Sequence, residues 1–574
     1  MSDSIKHECA VAVLRLLKPQ QYYQRKYGIS DYGFQKLALL LEKQHNRGQD
    51  GAGIASLQLS PEPGTPAYTL RKSAAVENPL ADLLGRCAGD PAMNGGLMLG
   101  HLRYATYGRH DLAACHPFVH ESSCLRRTLL LAGNFNLTST GKLFERFLEQ
   151  GHFPASKADG YLILQTIAHY LEQDASLHPG DPDWPKILRQ SLDEVDGAFT
   201  LCGINGSGDA FVIRDPHGIR PGYFYYDSEI FVAASERPAI QAAFDCPTGE
   251  VQEIPRGKAL LMHRNGDFEL ADCLPPQESR GCVFERIYFS RPNDADIHRE
   301  RRLLGRALAP AVLAAANHDL ANTFFSYIPN SAQVSFHGLL DEVMRTGVAA
   351  GQEVRFGQIA VKDAKFRTFI ADANIRKALN MHVYDVTYGM LHPGTDTLVV
   401  VDDSIVRGST MRNAILPILD RLDPRQIIVA SSAPPIKYPD CYGIDMAVAS
   451  DLVAFQAVVA LLRQSGRDQV IQDAYEHAKA DLLNPGGEGK NHMKELYDAV
   501  DDSELVVQIA HLLTPPGLKA RLVVVYQSID ALHQCCAQHR GDWYFTGDYP
   551  TRGGIHTANQ ALVNYMEQSS ERAY

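Results

Sequence analysis

One stretch of the chain limits the fold more than any other: an apolar run that leads directly into two acidic residues and a loop of small residues. It reads Val399-Val400-Val401-Asp402-Asp403-Ser404-Ile405-Val406-Arg407-Gly408-Ser409-Thr410, and a helical pattern follows it. Consecutive β-branched residues are typical of an inner strand of a parallel sheet. Open parallel sheets bind ligands at the carboxyl ends of their strands. The stretch therefore predicts a strand, a ligand-binding loop and a helix.

The loop of this stretch has the composition of an anion site. Residues 404–410 would present backbone N–H groups and hydroxyls at a helix N-terminus. The neighbouring Asp402 and Asp403 would repel each other unless sugar hydroxyls or hydrated Mg²⁺ compensated them. The alternative is that the two acids only cap the helix, which is the commoner role of an isolated Asp-Asp pair.

Strand and helix patterns alternate through the second half of the chain, which predicts an open parallel sheet. The predicted strands are 322–327, 397–401, 427–431 and 522–526, and the predicted helices are 334–345, 410–421, 452–463 and 495–513. Residues 485–489 and the tail after Thr551 are predicted to be loops.

The first half has a different pattern. Short apolar stretches separated by Gly, Asn and Asp predict strands at 96–100, 128–132, 198–204 and 229–234, with helices at 32–42 and 160–172. This mixture predicts a layered α+β domain, and a linker follows at 274–277.

Composition excludes several classes of function. The chain has 574 residues, which favours two or three domains, and its net charge of −12 disfavours a nucleic-acid binder. It has no apolar run long enough for a membrane helix and no signal-peptide pattern, so we expect a cytoplasmic protein without a membrane partner. Its 11 cysteines include no C-x-x-C and are expected to be mostly buried thiols.

The Asp402–Asp403 stretch resembles the phosphoribosyl pyrophosphate (PRPP) motif of type I phosphoribosyltransferases, in the form found in amidophosphoribosyltransferases. Residues 284–292, 433–436, 442–446 and 545–551 also resemble segments of that family. The resemblance implies displacement of diphosphate at C1 of ribose, with Mg²⁺ bound by Asp402 and Asp403 together with PRPP. The PRPP-binding residues that it implies are Ser331, Arg367, Asp402, Asp403, Ser404, Val406, Arg407, Gly408, Ser409 and Thr410.

The first half carries a second set of motifs, which begins with Cys9. The others are residues 44–54, 101–108, 116–118, 133–137 and 214–221. A single cysteine near the start of a chain is usually only a core residue. In this order, however, the motifs resemble the glutaminase domain of class II (N-terminal nucleophile) amidotransferases.

The resemblance implies a role for each of five residues. Removal of residues 1–8 would free the α-amine of Cys9, which can act as a base because its ordinary pKa is ~7.7–8.0. Arg103 would bind the α-carboxylate of glutamine and Asp159 its ammonium group. Asn134 and the backbone N–H of Phe135 would form the oxyanion hole.

The chain departs from the family pattern at several positions. Phe135 replaces the glycine of an Asn-Gly-Asn turn, and a Phe tolerates a positive φ poorly. Asn46 is an insertion, and Asn330 stands where an acid is usual. The segment 362–366, before Arg367, lacks the family's tyrosine and glycine.

Some family members bind a [4Fe–4S] cluster on four cysteines, but only two of those positions are matched here. Cys282 and Cys441 match, whereas Gly541 and Tyr544 occupy the other two positions, and Cys535 and Cys536 lie too early in the chain. No iron–sulfur cluster is expected, because a four-cysteine site would lack two ligands.

Together these features predict an N-terminal nucleophile (Ntn) hydrolase αββα sandwich, a type I phosphoribosyltransferase parallel-sheet domain and C-terminal helices. The expected boundaries are a propeptide at 1–8, a glutaminase domain at 9–274, a phosphoribosyltransferase domain at 275–480 and a C-terminal extension at 481–574 that packs on both. The resemblance implies an enzyme that transfers ammonia from glutamine to PRPP, with feedback by purine nucleotides and assembly as a homodimer or homotetramer.

Two alternatives stay open at this point. One is a diverged paralogue with a glutaminase or regulatory role, which the altered segment 362–366 favours. The other is a PRPP sensor without glutaminase, which Cys9, Arg103 and Asn134 together disfavour.

Overall fold

The computed structural model describes residues 8–104, 111–149, 151–177, 180–247, 249–362, 384–484, 489–569, 571 and 573. These residues form two compact units. The first unit contains the described residues up to Cys282 together with Cys441–Asp445. The second contains Val283–Asp440 and the described residues from Met446 onward.

The first unit is built on two antiparallel sheets, one of seven strands and one of six. Its strands are β1 (Ala10–Leu16), β2 (Gly51–Leu57), β3 (Tyr68–Ser73), β4 (Leu97–Arg103), β5 (Phe118–His120), β6 (Leu129–Leu137), β7 (Gly197–Asn205), β8 (Ala210–Arg214), β9 (Tyr223–Tyr226), β10 (Ile230–Ala234), β11 (Gln252–Glu253), β12 (Lys258–Met262) and β13 (Phe268–Asp272). The strand orders are β11-β9-β10-β1-β4-β2-β3 and β13-β12-β8-β7-β6-β5.

Side-chain alternation along these strands produces a four-layer sandwich. In β1, Val11 and Val13 belong to a core that also contains Leu99 and Val212, one from each sheet. The alternate residues of β1 belong to a core beneath helices Tyr32–Lys43 and Arg237–Phe244. Because successive side chains of a strand point to opposite faces, one strand serves both cores. The expected αββα arrangement is confirmed.

Helices cover the outer faces of both sheets. Those of the first unit are Gln20–Tyr27, Tyr32–Lys43, Pro79–Cys87, Thr140–Glu149, Asp159–Leu177, Trp184–Leu192 and Arg237–Phe244, with short 3₁₀ turns at Pro91–Met93 and Leu125–Arg127. Helices Asp159–Leu177 and Trp184–Leu192 cover the six-stranded sheet through Ile163, Ile167 and Ile187.

The second unit contains a five-stranded parallel sheet. Its strands are β14 (Thr323–Tyr327), β15 (Arg355–Phe356), β18 (Thr397–Asp402), β19 (Gln426–Ser431) and β20 (Arg521–Tyr526), in the order β15-β14-β18-β19-β20. Strands β16 (Ala360–Lys362) and β17 (Tyr384–Val386) form a separate antiparallel pair. Tyr327 pairs with Val401 and Asp402 with Ser431, so the carboxyl ends of β14, β18 and β19 lie side by side.

Two sequence predictions for the second unit are wrong. The single helix expected at 495–513 is two helices, Lys494–Asp498 and Asp502–Leu513, because the Asp501 side chain accepts the Ser503 N–H and starts a new helix. The tail after Thr551 is a helix, Arg552–Met566, capped by the Thr551 hydroxyl. The remaining α-helices are Ala295–Ala315, Gln333–Ala350, Leu416–Asp420, Val453–Gln464, Asp468–Leu482, Ile529–Cys535 and Trp543–Thr546.

Within the described ranges, none of the helices combines the length and the apolar composition that a bilayer crossing needs.

Candidate functional sites

Cys9 immediately precedes β1 and lies beside the end of β4. The backbone N–H of Tyr104 points to the Cys9 sulfur at 3.4 Å, and the sulfur lies 3.8 Å from the Tyr104 carbonyl oxygen. Two backbone groups therefore fix the position of the thiol.

The thiol needs a base. Burial raises the pKa of the Cys9 thiol to about 11, although the Tyr104 N–H and the charge of Arg103 act against this rise. A thiol with this pKa is almost wholly protonated at neutral pH, and the thiolate is the nucleophile. A free α-amine on the same residue would supply a base within reach.

Charged side chains surround the thiol. Arg103, at the end of β4, lowers its pKa, whereas Asp159 and Asp50 raise it. Asp159 begins helix Asp159–Leu177, and burial raises the pKa of its carboxyl to about 6 although the Gly160 N–H binds it. The charges of Arg103, Asp159 and Asp50 thus all act on the Cys9 thiol, and Asp50 is an addition to the residues predicted from the sequence.

The predicted oxyanion donors lie on β6. Asn134 is buried and its Nδ2 lies 3.4 Å from Oε2 of Glu8, the residue before Cys9. Phe135 of β6 lies opposite Phe199 of β7. The Phe199 carbonyl points away from β6, because it accepts the Asp215 N–H at 2.9 Å. In an antiparallel sheet the N–H and C=O of one residue point the same way, so the Phe135 N–H points away from β7.

Phe135, which replaces a glycine of the family pattern, does not need a positive φ in this structure. Gly133, two residues earlier on the same strand, directs its N–H to His116 Nδ1 at 3.3 Å, so Phe135 faces the same side. Phe135 lies in an extended strand, and its φ is not positive. The Phe side chain is therefore compatible with this backbone, and its N–H stays available as a donor.

Glu8 was expected only to end a propeptide, but its side chain is fully buried between two arginines. Oε2 of Glu8 lies 3.3 Å from Arg47, and its other oxygen contacts the Arg220 guanidinium. Arg47 belongs to the motif at 44–54 and Arg220 to the motif at 214–221, but neither arginine was predicted to have a role of its own. The inserted Asn46 donates to Glu236 at 2.8 Å, and Glu236 also pairs with Arg47.

The acidic pair of the second unit lies at the carboxyl end of β18. Asp402 and Asp403 are buried, and their carboxylates accept the backbone N–H groups of Asp403 and Ser404 at 3.0 and 2.8 Å. The backbone N–H of the next residue therefore holds one oxygen of each carboxylate in place. Burial raises the pKa of the Tyr288 hydroxyl, and the charges of Asp403 and Asp402 raise it further. Tyr288 is therefore near both acids.

The loop after the acids turns tightly into a helix. Gly408 has φ of 69°, and a Cβ there would lie 2.2 Å from a Leu513 methyl group. Val406 is buried and its carbonyl accepts the Val453 N–H, while Arg407 pairs with Asp451 at 3.2 Å. Ser409 and Thr410 begin the helix, which continues as a π-helical turn, Met411–Ile415, of the kind often found at functional sites.

The neighbouring strand brings a second loop to the same edge. Ser331 lies in the turn after β14, and the Ile328 N–H donates to the Val401 carbonyl at 2.9 Å. The peptide bond between Pro329 and Asn330 is cis. Arg367 and most of the altered segment 362–366 lie outside the described residues.

The residues at this edge suit a divalent cation that carries hydroxyl or water ligands. Oδ2 of Asp403 is buried and accepts no hydrogen bond from the described part of the chain. Carboxylate oxygens are ligands that Mg²⁺ prefers. Cys282 and Cys441 are buried cysteines of the first unit, and neither is in a disulfide.

The known proteins that are similar to this chain in sequence are amidophosphoribosyltransferases. No protein-family model matches the chain. The chain is 26% identical over 445 residues to an amidophosphoribosyltransferase of Homo sapiens, covering 72% of this chain and 78% of that protein. It is 26% identical over 479 residues to the Pseudomonas aeruginosa amidophosphoribosyltransferase, covering 81% and 88%.

Solved structures show the same fold. Glutamine PRPP amidotransferase from B. subtilis, complexed with ADP and GMP, superposes with a TM-score of 0.65 at 21% identity, covering 95% of this chain and 97% of that one. A structure described as the allosteric regulatory enzyme of purine biosynthesis gives a TM-score of 0.67 at 21% identity, covering 95% and 96%. In sequence and in fold, the chain is therefore similar to amidophosphoribosyltransferases.

Proposed function

We propose that the chain hydrolyses glutamine in its first unit and transfers the ammonia to PRPP in its second. The products are 5-phosphoribosylamine, glutamate and diphosphate, which is the first step of de novo purine synthesis. The observation that carries this proposal is that one chain has both sets of chemistry. The charges of Arg103 and Asp159 act on the Cys9 thiol, and a buried acidic pair leads into a loop that turns tightly into a helix.

In the glutaminase reaction, Arg103 and Asp159 hold the α-carboxylate and ammonium groups of glutamine. Removal of residues 1–8 frees the Cys9 amine, which takes the thiol proton as sulfur attacks the side-chain amide. Asn134 and the Phe135 N–H stabilise the oxyanion. Ammonia leaves, and water then hydrolyses the thioester to give glutamate.

In the phosphoribosyl reaction, ammonia attacks C1 of the ribose as diphosphate departs. Residues 404–410 hold the 5-phosphate at the helix N-terminus, Asp402 and Asp403 hold the ribose hydroxyls, and the Ser331 loop receives the diphosphate. Mg²⁺ held near Asp402 and Asp403 would neutralise charge on the leaving diphosphate. Catalysis is then mainly positioning and charge stabilisation.

The similar proteins also support a proposal about feedback regulation and about the assembly of the chain into an oligomer. One structural relative is complexed with ADP and GMP, which supports feedback by purine nucleotides here. We also propose that the chain forms a homodimer or homotetramer in the cytoplasm.

A pair of variants tests the division of labour between the two units. Cys9→Ala should abolish diphosphate release that depends on glutamine but keep diphosphate release that depends on added ammonium. Asp403→Asn should strongly reduce both kinds of diphosphate release. If glutamate release is instead unaffected by PRPP, and no diphosphate forms, the diverged glutaminase is the correct interpretation.

A further inference from the structure

The side chain of Glu8 lies in a buried cluster of opposite charge. The side chains of Glu8, Arg47 and Arg220 are 0%, 0% and 1% exposed. Glu8 lies between the two guanidinium groups, and Asn134 Nδ2 lies 3.4 Å from the same carboxylate oxygen that faces Arg47. The residue before the nucleophile is therefore held by three buried side chains.

Arg47 and Arg220 depend on Glu8 to different degrees. Arg47 has a second acid, because its Nε donates to Glu236 at 2.7 Å. For Arg220, Glu8 is the one acidic partner among the described residues, and the guanidinium forms no other hydrogen bond to them. A buried charge without a partner is strongly unfavourable, so the Arg220 charge favours an acid in the Glu8 position.

The surrounding backbone is shaped around this guanidinium. Gly443 has φ of 119°, and a Cβ there would lie 2.7 Å from Arg220 Nη2. The carbonyl of Cys441 accepts a hydrogen bond from Asn136 at 2.6 Å, which fixes the Cys441–Asp445 segment against β6. The backbone around Arg220 thus leaves no room for a side chain at position 443.

We propose that Arg47 and Arg220 form a recognition site for the Glu8 side chain that positions the Glu8–Cys9 peptide bond for self-cleavage. This inference rests on the proposed removal of residues 1–8. An acid before Cys9 would then be a specificity determinant, and both arginines would be positioning residues that act through Glu8.

The cleavage step uses groups that the chain already holds. The Cys9 sulfur attacks the Glu8 carbonyl carbon, the peptide C–N bond breaks, and the thiol proton passes to the departing α-amine. The product is a thioester between Glu8 and Cys9. Water then hydrolyses this thioester, which frees the Cys9 thiol and leaves residues 1–8 with a C-terminal carboxylate.

Intact-mass analysis of freshly purified full-length protein tests the proposal, because it measures the rate at which residues 1–8 are lost. Glu8→Gln keeps size but removes charge, and we expect it to slow cleavage about ten-fold or more. Arg220→Met should slow cleavage similarly, and Arg220→Lys less. Asp3→Asn, in the same N-terminal segment, and Arg256→Lys, an exposed arginine of the first unit, are controls that should cleave at the wild-type rate.

Charge exchange separates positioning from a general loss of stability. Glu8→Arg combined with Arg220→Glu restores an opposite pair, and we expect it to cleave faster than either single variant. Ammonium-dependent diphosphate release by the same samples shows whether the second unit remains folded. If Glu8→Gln fails to fold, the cleavage rates of Glu8→Asp and Arg220→Lys relative to wild type decide the question.

Two results would overturn the proposal, and they differ in what they imply. Cleavage of Glu8→Gln at the wild-type rate, with normal glutamine turnover, rejects only the role of the arginines. A wild-type protein that keeps residues 1–8 and still consumes glutamine rejects both the cleavage and the role of the Cys9 amine in the proposed function.

Discussion

The backbone N–H of Tyr104 points directly at the Cys9 sulfur, 3.4 Å away, although 95 residues separate them in the chain. Strand β4 thereby holds the thiol next to Arg103, the residue before Tyr104. Backbone contacts with Tyr104 therefore hold the nucleophile in position.

Replacing the Cys9 thiol with a hydroxyl should therefore separate the two activities. We expect Cys9→Ser to lower glutamine-dependent turnover on the order of 10³-fold or more, because a hydroxyl is a much weaker nucleophile than a thiolate. Turnover with ammonium should remain near the wild-type value. Steady-state assays with each nitrogen source check this, with Cys124→Ser, an exposed cysteine, as control. Glutamine turnover that survives in Cys9→Ser would contradict the assignment.

The raised pKa of Asp159 predicts a pH dependence. This carboxyl must be ionised to bind the glutamine ammonium, and burial raises its pKa to about 6. The Cys9 amine must also be deprotonated, with an ordinary pKa of ~7.7–8.0. The logarithm of kcat/KM for the glutaminase should thus fall as pH is lowered. Its slope against pH should be ~1 below the amine pKa and ~2 below the Asp159 pKa, because kcat/KM reports the ionisation of the free enzyme.

Variants identify which group causes each step of this profile. Asp159→Asn should raise KM for glutamine and keep a slope of ~1 at every pH below the amine pKa, because one titrating group remains. Glu145→Gln, an exposed acid of the same unit, should leave the profile unchanged. A second step that persists in Asp159→Asn would assign it to another group.

The Phe135 N–H can be removed without breaking a strand-pairing hydrogen bond, because it points away from β7. Phe135→Pro deletes this donor, and Phe135→Ala keeps it while removing the same ring. We expect kcat of the glutaminase to fall about 10²–10³-fold in the Pro variant relative to the Ala variant. Thermal unfolding of both variants checks that the comparison is fair. Equal kcat values would exclude this N–H from the oxyanion hole.

The acidic pair should be needed for PRPP and not for glutamine hydrolysis itself. We expect Asp403→Asn to reduce diphosphate release by about 10²-fold or more, because the ribose hydroxyls and Mg²⁺ lose a carboxylate ligand. Asp473→Asn, an exposed acid of the same unit, is the matched control. PRPP turnover that is unchanged in Asp403→Asn would leave the acids as structural residues.

Strands and loops could be predicted from the sequence where all the residues that form them lie in one segment. The apolar run before Asp402 and the turn residues after it predicted the strand and loop, because strand, acids and loop are contiguous. The helix Arg552–Met566 was missed, since Gly553 and Gly554 are poor helix formers and packing of Ala558 and Leu562 overrides them.

The site around Glu8 could not be predicted in the same way. Glu8, Arg47 and Arg220 lie far apart in the chain, and each is an ordinary charged residue in its own segment. Only the folded chain, in which Arg47 and Arg220 both contact Glu8, makes them a buried cluster. Asp50 was overlooked for the same reason.

The most direct test of the central claim follows the nitrogen atom. The processed protein is given PRPP, Mg²⁺ and glutamine labelled with ¹⁵N in its side-chain amide, and the phosphoribosylamine is trapped and analysed by mass spectrometry. We predict labelled phosphoribosylamine and diphosphate in amounts that match the glutamate formed. Glutamate and labelled ammonium without diphosphate would contradict the account.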